Sequence, residues 1–130
     1  MNQPKERIDL EAPLSGDFQA VVRLIVGGIA ERVDFAFEEI DDLQLAIERL
    51  LAEAGTIGSV RMNFAVGASR IRARVGPLSE AKVAEALDGE DAPGQLTLRR
   101  ILQTVVDSFA VDQLDDGSIT VVLEKVKATP

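Results

Sequence analysis

The chain has 130 residues, the size of one domain, and its 46% apolar and 28% charged content is that of a globular fold rather than a disordered or fibrous chain. It contains no Cys, His, Trp or Tyr. That excludes a Ser-His-Asp triad, a Cys-His dyad, a thiolate or imidazole zinc site and a redox dithiol, leaving acid, base or metal chemistry to Asp, Glu, Lys and Ser.

Twenty-two acidic against fourteen basic residues give a net charge of -8, which repels phosphate backbones, so nucleic acid is not an expected partner. The opening Met-Asn-Gln-Pro-Lys-Glu-Arg is followed by no apolar stretch suited to a signal peptide. No segment reaches the about 18 apolar residues of a membrane span. The expectation is a cytoplasmic protein with no membrane partner, a single domain over residues 1–130, and a flexible N-terminus at residues 1–6.

Arg7 to Glu11 alternate, Ile8 and Leu10 against Arg7, Asp9 and Glu11, and predict an opening strand ended by Pro13, Ser15 and Gly16. From Asp17 the period changes. Phe18, Val21, Val22, Ile25, Ile29 and Val33 fall at helical spacing, with Gly27 and Gly28 inside the helix as signs of close packing. Asp34 is the expected cap of a second helix, with Glu38 and Glu39 in its first turn. Its buried stripe is Ile40, Leu43, Ile47, Leu50, Leu51 and Ala54, and Gly55 ends it.

Val60, Met62, Phe64 and Val66, then Ile71, Ala73 and Val75, form one apolar face of a hairpin turned at Gly67-Ala68-Ser69. A short helix is predicted from Ser79 to Leu87, then a mobile loop through Asp88 to Gly94. Leu98, Ile101, Leu102, Val105, Val106 and Phe109 predict a third long helix. The turn Asp115-Asp116-Gly117 then joins strands at Ala110–Leu114 and Ser118–Val126. The order β-α-α-β-β-α-α-β-β implies an α/β (α+β) two-layer sandwich, its helices on one face of a mixed, largely antiparallel sheet whose other face is wet.

Three runs carry a resemblance: Ile8-Asp9-Leu10 to Pro13, Phe18 through Gly28, and Ile40 through Glu48, joined by Leu96 to Val126. Together they resemble the anti-sigma factor and serine-protein-kinase branch of the histidine-kinase-like (GHKL) ATPases, over almost the whole chain. The resemblance implies the histidine-kinase-like fold, and proteins that sequester a sigma factor and in many cases phosphorylate a Ser of an antagonist using Mg-ATP.

It also implies positions for the ATP site. A catalytic Glu and, one turn later, an Mg-binding Asn fall on Arg49 and Glu53; a register shift offers Glu48, but then Ala52 takes the Asn position. Arginine stays protonated and is no base. The adenine-binding Asp-x-Gly falls on Gly76-Pro77-Leu78-Ser79, where Gly76 alone remains, and the Gly-rich lid falls on Gly94-Gln95-Leu96-Thr97-Leu98, where Gly94 alone remains. The resemblance thus leaves no catalytic residue and a vestigial nucleotide set of Glu53, Gly76 and Gly94, with no cofactor expected unless a divergent pocket takes ATP-Mg.

Arg61, Arg70, Arg72 and Arg74 share the open face of the hairpin. They read either as a solvated, aggregation-resistant sheet face or as a docking patch for an acidic partner. Glu38, Glu39, Asp41 and Asp42 at the second helix start read as dipole and solubility charges, or as a surface steering a basic partner, with no metal site expected. The leading expectation is a transcription regulator that sequesters a sigma factor, or answers to an anti-anti-sigma antagonist, as a homodimer and without ATP hydrolysis. The alternatives are an active protein-serine kinase and a non-catalytic dimerisation or scaffold module.

Overall fold

A computed structural model describes residues 6–14, 16–54, 58–88 and 97–128. The strand β1 (Glu6–Pro13) leads through a 3-10 turn at Gly16–Phe18 into α1 (Gln19–Glu31) and α2 (Phe37–Ala54). The hairpin β2 (Ser59–Val66) and β3 (Arg70–Leu78) follows, then α3 (Glu80–Asp88) and α4 (Leu98–Val105), and the hairpin β4 (Ser108–Gln113) and β5 (Ile119–Val126) closes the fold. The sheet order is β1-β2-β3-β5-β4, with every described pairing antiparallel, the limiting case of the largely antiparallel sheet expected.

Period-two alternation builds the two faces. Met62 sits opposite Leu10 and Val75, Phe64 opposite Ile8 and Ala73, and Ala73 opposite Leu123, so one apolar row after another faces inward. The helices cover those rows. Val22, Val26 and Ile29 of α1, Leu43, Ile47 and Leu50 of α2, Val83 of α3 and Leu98 and Leu102 of α4 join them in one buried core. Each large apolar side chain removed from water there contributes about 1.5–3 kcal/mol. Among the described residues, no helix is long and apolar enough to cross a membrane.

Four local readings are corrected. Of the flexible segment expected at 1–6, Glu6 starts β1 opposite Val66 and its carboxylate binds Arg32 at 2.6 Å; residues 1–5 lie outside the described part. Asp34 does not cap α2. It closes the α1 corner in the left-handed region, φ +57°, which a short polar side chain tolerates. Glu39 does the capping, reaching back to accept the Ala36 amide at 2.7 Å. The third long helix stops at Val105, because Val106 is extended (φ -121°, ψ 159°) and Phe109 belongs to β4, which starts at Ser108 rather than Ala110. Finally, β3 runs past Val75 to Leu78 through a register irregularity against β5. The predicted Gly55 helix end and the loop after Asp88 fall outside the described residues.

The two internal glycines of α1 do different things. A Cβ on Gly27 would stand 2.7 Å from the Gln44 side-chain nitrogen of α2, which donates to the Arg23 carbonyl, whereas Gly28 faces open space. Arg23 reinforces the same contact by binding Glu48 at 2.7 Å and Asp41 at 3.1 Å. The hydrogen bond and charge of Glu48, followed by those of Asp41, raise the Arg23 pKa above the ordinary guanidinium value.

Candidate functional site

Of the residues assigned to nucleotide chemistry, Glu48, Arg49 and Glu53 stand on α2 and Gly76 on β3. On α2, Arg49 and Glu53 lie one turn apart and pair with each other at 3.5 Å, while the buried Arg49 Nε has no hydrogen-bond partner among the described residues. Glu48, the register alternative, is held by Arg23. Gly76 sits on β3, where an added Cβ would stand 2.6 Å from Thr120 Oγ1 and 3.0 Å from the β5 backbone, so its smallness serves strand packing. Gly94 lies outside the described residues.

Three of the four carboxylates at the start of α2 are engaged internally. Glu39 accepts the amides of Ala36 and Ala128, Asp41 binds Arg23, and Asp42 binds Lys125 at 3.2 Å. Lys125 points to the helix side of the sheet, where its ammonium also donates to the Val105 carbonyl at the end of α4. Hydrogen bonds from Ala128 and then Ala36 hold the Glu39 carboxyl below its ordinary 4.5. Among the described residues, no group of three Asp or Glu is placed to hold a metal ion.

The arginine face, by contrast, has shape. A depression of about 690 Å³ opens on the side of the sheet away from the helices, and Arg70, Arg72 and Arg74 line it. Arg61 does not. It lies a row away and pairs with Glu11 at 3.4 Å. Arg70 and Arg72 both lean on Glu124, at 3.4 and 3.2 Å, and Arg74 reaches Asp112 at 3.2 Å.

Sequence reasoning missed four polar residues that complete this depression: Arg7, Asp9, Asn63 and Glu124. The alternation of β1 already put Arg7 and Asp9 on a polar side. What it lacked was the neighbour of β1, since only the pairing of Arg7 with Ala65 and of Ala65 with Arg72 brings Arg7 across from the hairpin arginines.

Among the described residues, a five-stranded antiparallel sheet under one layer of four helices has the form of the histidine-kinase-like ATPase sandwich. No protein-family model matches the chain. Among curated proteins it is similar to the serine-protein kinase RsbW of Bacillus cereus (strain AH820), 24% identical over 142 residues, covering 92% of this chain and 84% of that protein. It is likewise similar to the serine-protein kinase RsbW of Bacillus pumilus (strain SAFR-032), 27% identical over 150 residues, covering 96% of this chain and 88% of that protein.

Proposed function

We propose that this chain is a cytoplasmic regulator of the anti-sigma type that acts by stoichiometric capture of a sigma factor or its antagonist, without ATP hydrolysis. The observation that carries the reading is the Arg49–Glu53 pair at 3.5 Å, standing on the turn where the resemblance puts a catalytic base and an Mg ligand. An Arg there can neither accept a proton nor bind a cation. The described residues argue against Mg-ATP: Glu53 is tied to Arg49, Glu48 to Arg23, and any side chain at Gly76 would meet Thr120. No catalytic step is assigned.

Sequestration works through surface, and α1 supplies apolar surface. Val21 and Leu24, with Phe18 of the preceding 3-10 turn, fall at three-residue steps on its solvent side, Leu24 being 76% exposed, and Gly28 continues the line. Together with the resemblance, this stripe supports a homodimer or a sigma contact through α1. Replacing Leu24 with Asp is expected to abolish that association in sedimentation while leaving the far-ultraviolet dichroism of the folded chain unchanged.

A second reading, an active serine-protein kinase, is favoured by the activity in the names of the similar proteins. Calorimetric titration with ATP and Mg separates the two. Silence up to millimolar nucleotide, alongside capture of a sigma factor or its antagonist in equimolar amount, supports sequestration. Heat of binding, with a stabilisation of about 2.7 kcal/mol at one hundred times the dissociation constant, favours the kinase. A stable homodimer that captures neither protein would leave a scaffold role.

A further inference from the structure

We propose that the depression on the open face of the sheet is a docking trough for an extended acidic segment of a partner protein, one whose carboxylates recur at every second residue.

Charge is the first argument. In a chain of net charge -8, four guanidiniums line the trough against two carboxylates. Even those two are committed. Glu124 is shared by Arg70 and Arg72, and Asp9 accepts the Asn63 amide at 2.6 Å. Arg7 makes no ion pair among the described residues. Arg74 alone is balanced from outside, by Asp112. The trough is therefore an island of positive charge that an anionic partner would complete.

Spacing is the second. Arg70, Arg72 and Arg74 project at every other residue of β3, about 6.7 Å apart, which is the repeat of alternate side chains in any extended chain. Arg7 stands on the opposite rail. Between the rails β2 presents only Asn63 and Ala65, and the two rails are separated by about 9.6 Å, two strand spacings. A segment laid along β2 would set its alternate carboxylates against the β3 arginines, while Arg7 adds positive charge from the opposite rail. A compact anion would meet only part of a row about 13 Å long. Nucleic acid fits less well, because the only ring lining the trough, Phe64, is 1% exposed and offers no stacking surface.

The test is fluorescence anisotropy of the full chain with a labelled peptide of alternating Glu and Thr, and with an isomer that gathers its Glu residues in one block. The alternating peptide is expected to bind more tightly, and Arg72→Gln to weaken it by about tenfold, as expected for loss of a charge-assisted contact. Arg61→Gln, the same charge change outside the trough, is expected to leave binding unaltered. Arg7→Gln gives a second test on an exposed edge strand, should Arg72→Gln disturb folding. Equal affinity for the two peptides, or equal weakening by Arg61→Gln, would overturn the proposal in favour of diffuse attraction. Tighter binding of a single-stranded RNA oligonucleotide would overturn it in favour of nucleic acid, and loss of self-association in Arg72→Gln in favour of a second copy. None of these readings depends on the nucleotide question.

Discussion

At Gly76 an added methyl would stand 2.6 Å from Thr120 Oγ1 and 3.0 Å from the β5 backbone. The hydroxyl could rotate away, but the backbone cannot, since β5 lies between β3 and β4. Gly76→Ala is therefore expected to cost about 1–3 kcal/mol, read from the urea midpoint of the variant. Glu39 makes a different kind of prediction. Its carboxylate receives the amides of Ala36 and Ala128, so its folded pKa lies below 4.5, and the stability it contributes is present above that pH and lost as pH falls through the folded value. The Ala128 amide resonance should follow an acid titration with its midpoint below 4.5, and Glu39→Gln should abolish that titration. A midpoint at or above 4.5 would contradict the contact.

Among the elements, α1 offers an internal comparison. Gly28→Ala places its methyl in open space within a helix and should stabilise the chain by about 0.5–1 kcal/mol, whereas Gly27→Ala meets the Gln44 amide and should gain less or lose stability. Thermal melts of the two variants read the difference directly. The helix and hairpin interiors were legible in the sequence because Leu43, Ile47 and Leu50, or Met62, Phe64 and Val66, repeat with a clear period. The element ends were not. Val105-Val106-Asp107-Ser108-Phe109 satisfies both a helical and an alternating pattern, and the chain extends there because Asp107 binds β5, its amide to the Glu124 carbonyl and its carboxylate to the Val126 amide. Asp34 resembles a cap in sequence, but the corner needed a left-handed residue, and a Glu three residues into the approach to α2 could cap from the other side.

For the molecule as a whole, the candidate sites divide along the sheet. The helix side carries the α2 turn, whose Arg49 and Glu53 already stand four residues apart in the sequence. The open side carries the trough, of which the sequence showed one rail. Arg70, Arg72 and Arg74 share a strand and announce themselves by spacing, while Arg7 and Glu124 come from opposite ends of the chain and meet them only through the strand order.

The same order fixes the two chain ends. Glu6 lies opposite Val66, Val66 opposite Ile71, and Ile71 opposite Lys125, so the start of β1 and the end of β5 are three strand spacings apart, about 14 Å. Both are also latched to the α1–α2 corner, through Glu6 with Arg32 and Ala128 with Glu39. The chain can therefore be rewired. A linker of about five residues in place of 1–5 and 129–130 would bridge the gap, and the exposed Asp116–Gly117 turn offers new ends. Such a circular permutant is expected to keep the far-ultraviolet dichroism of the parent and one cooperative melt, with β5 now synthesised first.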